Sequence, residues 1–465
     1  MLQTKEGAPF NEALLKEDRR LLLNRYSRLG YLHANVEPTV QISGDGHQAV
    51  ITFRLMEGPQ IRVGKITIEG NEITSGHIIR RELLIHTKDP LDMERVLNSQ
   101  KRLYRLGIFS EVRFEPRASS DPLMPDMVLS VKERPTTALE FGFGYADYDR
   151  IRGYVQVSRI NLFGTGRSVS LRAYGSRVEQ RYTLNYKEPW IFSRDLDGRL
   201  GLEYAHLLEV SYILDVASVS AGLDKTFTDS LRGILIYQYE HDYISNVDPA
   251  IAPQISPEAL GRFNIASITP ILIFDTRDNP YNPTRGFSLE LTFKNAAQIL
   301  GSEKQFVKGT VKFSEIFPLK SRLILALSQR GGAARPFGES TEVPLSELFL
   351  AGGRSTVRGY DQDKLGIRGV TIVGDKPTGG GGLLIFNEEL RLNLPYSIGL
   401  VFFFDHGNVW PKVDDIRFSQ VKSTTGAGIR YNTPVGPLRL DYGYKLNREE
   451  GENGWALHFT LGHAF

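Results

Sequence analysis

Beyond about Thr137 the apolar and polar positions alternate one for one. In ALEFGFGY, Leu139, Phe141, Phe143 and Tyr145 share one face, and Glu140, Gly142 and Gly144 share the other. Near the carboxyl end, WALHFTLGHAF sets Leu457, Phe459, Leu461 and Phe465 against His458, Thr460, Gly462 and Ala464. A period of two belongs to strands with one apolar and one polar face. Such runs begin near Ala138, Arg150, Gly166, Arg181, Asp197, Asp215, Leu231 and Asn264. They begin again near Gly286, Gln305, Ser321, Gly381, Ser397, Thr424, Gly436 and Trp455. About 16 strands of about ten residues follow, an even number, as a bacterial transmembrane barrel requires. A soluble sandwich alternates as well, so the strand count carries the argument. Connections differ in kind: LFGTGR and EPWIFSRDLDG are compact, whereas 242–262 and 332–380 are long. The compact ones are expected on the periplasmic side and the long ones outside the cell.

Residues 1 to about 136 follow another period. Met93, Val96, Leu97, Leu103 and Leu106 recur near helical spacing in the stretch that begins at Asp92, and Gly107 is a good helix stop. IRVGKITIEGN before it, and EVRFEPR and MVLSVKER after it, read as short strands. The predicted order is strand, helix from about Ser75, helix, strand, strand. Part of this unit occurs twice, because RYSRLGYL from Arg25 lies 102 − 25 = 77 positions before RLYRLGIF from Arg102. ITFRLMEGP and MVLSVKERP align too, Glu57 with Glu133 and Pro59 with Pro135. Recurrence at a fixed period indicates tandem modules. The first copy has room only from its second helix onward. The expected division is a partial, amino-terminally truncated module at 1–58, a complete module at 59–136 and the barrel at 137–465. The fold class is thus α+β modules followed by an all-β, 16-stranded antiparallel transmembrane barrel. Truncation would also account for MLQTKEGAPFNEALLKEDRR, which lacks the basic and apolar regions of an export leader.

Composition narrows the chemistry. The chain has 465 residues, no cysteine, 45 glycines, and 25 Phe and 20 Tyr beside 5 Met. Without cysteine there is no disulfide framework, thiolate metal site or cysteine nucleophile. A formal charge of +2 with scattered basic residues gives no nucleic-acid footprint, so no nucleic-acid partner is expected. Mean hydropathy of -0.24 and the lack of a long apolar run argue against transmembrane helices. A barrel averages a lipid face with a polar lumen, and its hydropathy looks soluble. The nine histidines are scattered without a metal-ligand spacing, and neither a G-x-S-x-G elbow nor a P-loop occurs. No enzyme, cofactor or metal is expected.

The longest connection contains LFLAGGRSTVRGYDQDKLG, from Leu348 to Gly366. Gly352 and Gly353 allow a sharp re-entry, and Gly359 after Arg358 lets the chain pack closely on a wall. In FFFDHGNVW, Asp405 lies on the face opposite Leu400, Phe402 and Phe404; in EELRL, Glu389 lies opposite Leu390 and Leu392. Both carboxylates are expected in the lumen, where an arginine fork from the loop could bind them.

GGRSTVRGY, FFFDHGNVW, FDTRDNPYNPTRGF and the terminal Phe465 together resemble the Omp85 superfamily of outer-membrane proteins. The preceding repeats are similar to POTRA modules. The resemblance covers essentially the whole chain and implies that the long loop's tip sits in the barrel with its arginine on acidic wall residues. Carried over by motif, Arg358, Gly359 and Tyr360 form that tip and Asp405 and Glu389 its partners, with Tyr360 where many members have Phe. It implies an assembly or insertion factor in the bacterial outer membrane, with its POTRA modules in the periplasm. Partners would be unfolded outer-membrane or autotransporter clients and the lipid bilayer, with accessory lipoproteins or an inner-membrane partner left open. Client strands would pair at the seam between first and last strands, where Phe141, Gly142 and Gly144 face Phe459, Gly462 and Phe465. The alternative is a two-partner-type pore that exports one protein.

Overall fold

The computed structural model describes residues 2–191, 196–433 and 436–461. The chain forms two units, Met1–Thr137 with Arg159–Arg167, and Ala138–Ser158 with Ser168–Phe465.

The first unit holds α1 (Glu12–Arg28), β1 (Asn35–Ile42) and β2 (Ala49–Met56). These are followed by β3 (Ile66–Glu69), α2 (Gly76–Arg80), α3 (Met93–Arg105), β4 (Phe109–Arg117) and β5 (Asp126–Glu133). From β3 to β5 the order is the expected strand, helix, helix, strand, strand. β5 runs between β3, to which it is parallel, and β4, to which it is antiparallel. Asp92 starts α3, its carboxylate accepting the Glu94 and Arg95 amides at 2.8 and 3.3 Å. Both longer helices stop at a left-handed glycine, Gly30 (φ 87°) and Gly107 (φ 72°). The Arg-Leu-Gly that recurs in the sequence is therefore one helix stop used twice. Val63, Ile79, Leu83, Val96, Leu103, Phe109 and Leu129 close the core of the second module. Each contributes about 1.5–3 kcal/mol by leaving water.

The second unit is a closed antiparallel barrel of 16 strands among the described residues, as the alternation predicts. They begin with β6 (Thr137–Ala146), β7 (Arg150–Leu162), β8 (Arg167–Ser176), β9 (Glu179–Glu188), β10 (Asp197–Leu208) and β11 (Ile213–Thr226). Next come β12 (Leu231–Ser245), β13 (Gly261–Asp275), β14 (Gly286–Ala296), β15 (Phe306–Lys320) and β16 (Leu323–Pro336). Within the long connection that follows, β17 (Ile372–Val373) and β18 (Lys376–Pro377) form a two-residue ladder outside the wall. The wall resumes with β19 (Gly382–Asn393), β20 (Ile398–Trp410), β21 (Lys422–Thr433), β22 (Gly436–Lys445) and β23 (Trp455–Leu461). Outward residues are exposed, as with Phe141 at 73% and Leu457 at 50%, whereas inward Ala146 and His458 are buried. No helix among the described residues is long and apolar enough to cross a membrane. β12 and β16 run on to Ser245 and Pro336, past the positions 242 and 332 where loops are expected. Neighbours carry them: Tyr243 pairs with Arg262 and Pro336 with Phe306. Cross-strand pairing overrides the weak strand preference of Gly331 and Gly332.

Candidate functional site

The connection between β16 and β19 folds back into the lumen. Val357, Tyr360 and Leu365 pack with Ala351, Ile385 and Val409 into a small buried cluster. Burial of these apolar side chains brings Arg358 to the wall. Its Nε and Nη2 donate to the two oxygens of Asp405 at 2.7 and 2.8 Å, and its Nη1 donates to Glu389 at 2.7 Å. The Arg358 amide donates to Asp405 as well, at 3.0 Å. The guanidinium lies 3.6 Å from the centre of the Phe403 ring. Asn387 donates a further hydrogen bond to Asp405 at 2.9 Å, and Arg391 to Glu389 at 2.7 Å. Cross-strand register puts Asn387 beside Asp405 and Glu389 beside Phe403, all facing inward. A fork of two parallel charge-assisted bonds fixes direction as well as charge.

Gly359 continues from Arg358 with φ 102°. A Cβ there would lie 3.3 Å from the Gly443 carbonyl, and one on Gly443 would come within 2.5 Å of the Gly359 nitrogen. Loop and wall thus touch backbone to backbone. Tyr360 is buried, with the Lys445 ammonium 3.9 Å from its ring centre.

A second attachment went unseen in the sequence. Earlier in the same loop, Ser346 donates to Asp242 of β12 at 2.7 Å. Glu347 pairs with Lys294 of β14 and, at 3.0 Å, with Lys308 of β15. Lys294 also reaches Glu240 of β12 at 2.5 Å. Burial pushes the Glu347 carboxyl up, but the two lysines outweigh it and hold it below its ordinary value. The one signal in the chain is a lone Ser-Glu inside the apolar stretch VPLSELFLA.

Across the seam, β23 meets β6 through Thr460↔Ala146 and Leu461↔Tyr145. On its other side, among the described residues, the same strand pairs with β22 from Leu438↔Leu461 to Tyr444↔Trp455. Phe141 is exposed, the Tyr145 and Phe459 rings lie 6.0 Å apart, and a Cβ on Gly144 would fall 2.7 Å from the Leu461 carbonyl oxygen. Gly142 lies against Gly153 of β7. Gly462 and Phe465 lie outside the described residues.

The family model for the Omp85 superfamily domain matches residues 161–465. The chain belongs to the Omp85 superfamily. A second model, the POTRA surface antigen variable number repeat, matches residues 1–58 and 61–134 of this Omp85 chain. The outer membrane protein assembly factor BamA of Nitratidesulfovibrio vulgaris is 26% identical, aligned over 99% of the chain and 58% of that relative. BamA of Neisseria meningitidis serogroup B is also 26% identical, over 95% of the chain and 61% of the relative. The chain therefore spans about six tenths of the length of these curated relatives. Among solved structures, BamA from Haemophilus ducreyi lacking POTRA domains 1-3 superposes with a TM-score of 0.76 at 21% identity, over 98% of this chain and 94% of that one. CdiB from Escherichia coli gives 0.60 at 15%, over 97% and 84%. Both show the fold. As an Omp85 member, this is an outer-membrane β-barrel protein.

Two acidic loop residues of the Omp85 barrel sit where burial favours the neutral carboxyl. Burial, reinforced by the charges of Asp363 and Glu179, pushes the Glu209 carboxyl up to about 7. Burial likewise raises Asp363, in the long loop, to about 6. The sequence offers no pattern that singles out either.

Proposed function

We propose that this chain is the barrel end of an outer-membrane assembly factor that templates client strands at the seam between β6 and β23. The observation that carries this reading is the seam itself. There the described part of β23 joins β6 through Thr460↔Ala146 and Leu461↔Tyr145, and the Phe459 carbonyl accepts the Asp147 amide at 3.1 Å. In lipid an unpaired N–H or C=O costs several kcal/mol. A first and last strand that part would therefore offer an incoming strand hydrogen bonds that the bilayer cannot provide, and pairing with burial supplies the driving force without a nucleotide. Exposed Leu139, Phe141 and Phe143 keep the margin of that opening apolar, as a membrane-facing entry needs. The names of the BamA relatives agree with this activity.

On this reading, residues 1–58 are a partial and 59–136 a complete POTRA module in the periplasm, with 137–465 as the barrel. The long loops face outward. Clients are unfolded outer-membrane or autotransporter proteins. Arg358, Gly359, Tyr360, Asp405 and Glu389 clamp the long loop and perform no chemistry. A photocrosslinking residue placed at Phe141 or Leu457 in cells is expected to capture many nascent barrel proteins. Capture of a single secreted protein would replace this reading with that of an export pore.

A further inference from the structure

The lumen face of the seam carries a polar chain that neither the arginine tip nor the backbone pairing requires. His458 of β23 is 4% exposed and its Nδ1 lies 3.0 Å from Asp147, the residue that follows β6. Its Nε2 accepts the Gly359 amide at 3.4 Å. One imidazole thus joins the last strand, the first strand and the tip of the long loop. With a proton on Nδ1 the ring donates to Asp147 while Nε2 accepts from Gly359. The loop holds the first-strand side a second time: Arg354 Nη2 donates to Asp149 at 2.8 Å, and its Nη1, buried with no hydrogen-bond partner, lies 3.9 Å from Asp147. Arg152 of β7 steadies Asp149 from behind at 3.3 Å. Burial alone would raise the Asp147 carboxyl; the hydrogen bond and charge interaction with His458, then the charge of Arg354, hold it below its ordinary value. Asp147, Arg354 and His458 also line a cavity of about 760 Å³ with Trp455, Gln362 and Lys364, so the bonds sit at an open space and not in a packed core.

We propose that His458, Asp147, Arg354 and Asp149 form a latch across the β6–β23 seam, through which the seated long loop keeps that seam shut. His458 is its central positioning residue, because it alone touches all three parts. Three side-chain contacts, one of them a charged pair and each worth about 0.5–1.5 kcal/mol, add to the backbone hold at Thr460, Leu461 and the Asp147 amide. The latch gives the proposed entry seam a bolt worked by the loop tip. It deepens the assembly-factor reading and rests on it for its purpose, but the closure itself can be measured without any client.

The chain lacks cysteine, so Tyr145→Cys with Leu461→Cys makes a single reporter across the seam in the purified full chain in lipid nanodiscs. Its disulfide yield under fixed mild oxidation reads how often the seam is closed. His458→Leu and Asp147→Ala are each expected to lower the rate about fivefold, the factor that one lost hydrogen bond of about 1 kcal/mol gives. Combining them should add little to either alone. His458→Gln, whose amide can still donate to Asp147 and accept from Gly359, should restore most of the rate, which a mere packing role for the ring would not. Arg354→Gln, a loop change that spares the wall, supplies the second measurement should either strand variant fail to give a folded barrel; about a twofold loss is expected. Unchanged rates in Arg354→Gln, or in both folded strand variants, would overturn the latch. Normal closure loss with no client captured at Phe141 would leave the latch standing and remove the assembly-factor reading.

Discussion

The long loop is held at two places of unlike make. At Arg358 one cation meets two carboxylates, with a planar fork on Asp405 and a third bond to Glu389. At Glu347 one carboxylate meets two ammonium groups, Lys294 and Lys308. The charges are mirror images and the consequences are not. A guanidinium fork sets direction, and here it brings the next residue, Gly359, against Gly443. Ammonium groups on flexible stems neutralise charge and leave direction to the surrounding packing. The first attachment aims the loop and the second tethers it.

Removing the fork gives the largest expected effect. Arg358→Ala leaves Asp405 buried without its cation, while Glu389 keeps Arg391, and the loss costs about 3–5 kcal/mol. It should appear as a lower midpoint of unfolding followed by heat-modifiable gel mobility. Arg358→Lys sharpens the contrast: if direction matters, lysine recovers little, and full recovery would reduce the attachment to charge alone. Next comes Glu347→Gln, at about 1–3 kcal/mol, because Lys294 keeps Glu240 and the amide keeps an acceptor. Proteolysis within 337–347 should then rise while the Arg358 tip stays protected; equal exposure of both would contradict two independent attachments.

The smallest effect is one of pH. Glu209 and Asp363, raised to about 7 and about 6, are favoured neutral while the loops are packed. Their stabilisation is therefore complete below the ordinary carboxylate values near 4.5 and 3.8 and is lost as pH rises through about 7. Loop protection against protease should fall a few-fold from pH 5 to pH 8, and Glu209→Gln should flatten that slope. A slope unchanged by the substitution would assign the effect elsewhere.

Strand geometry explains what was readable beforehand. Most wall strands announce themselves through a period of two, and the same period chooses inward Glu389 over its neighbour Glu388. Expected starts such as Ala138 and Asn264 fall within a few residues of Thr137 and Gly261, where pairing begins. Loops have no such rule. Glu347 lies where no alternation assigns a face, and Lys294 and Lys308 are merely two inward lysines until the loop arrives. Gly443 looks like any strand glycine, because its partner lies far away in sequence. The ladder of Ile372–Val373 with Lys376–Pro377 is too short to leave a period at all.

On the proposed reading the closed ring parts at one join, and a ring so parted risks losing its curvature everywhere. Here the loop is a chord: it leaves the wall after β16, is tied to β12, β14 and β15 by Ser346 and Glu347, crosses to β19 and β20 at Arg358, and returns to the wall. Load released at a parted seam would have a second path through the interior, by which the remaining wall keeps its shape. The strut ties the far wall to β19 and β20 and leaves β6 and β23 outside its span, so stiffness is greatest away from the join.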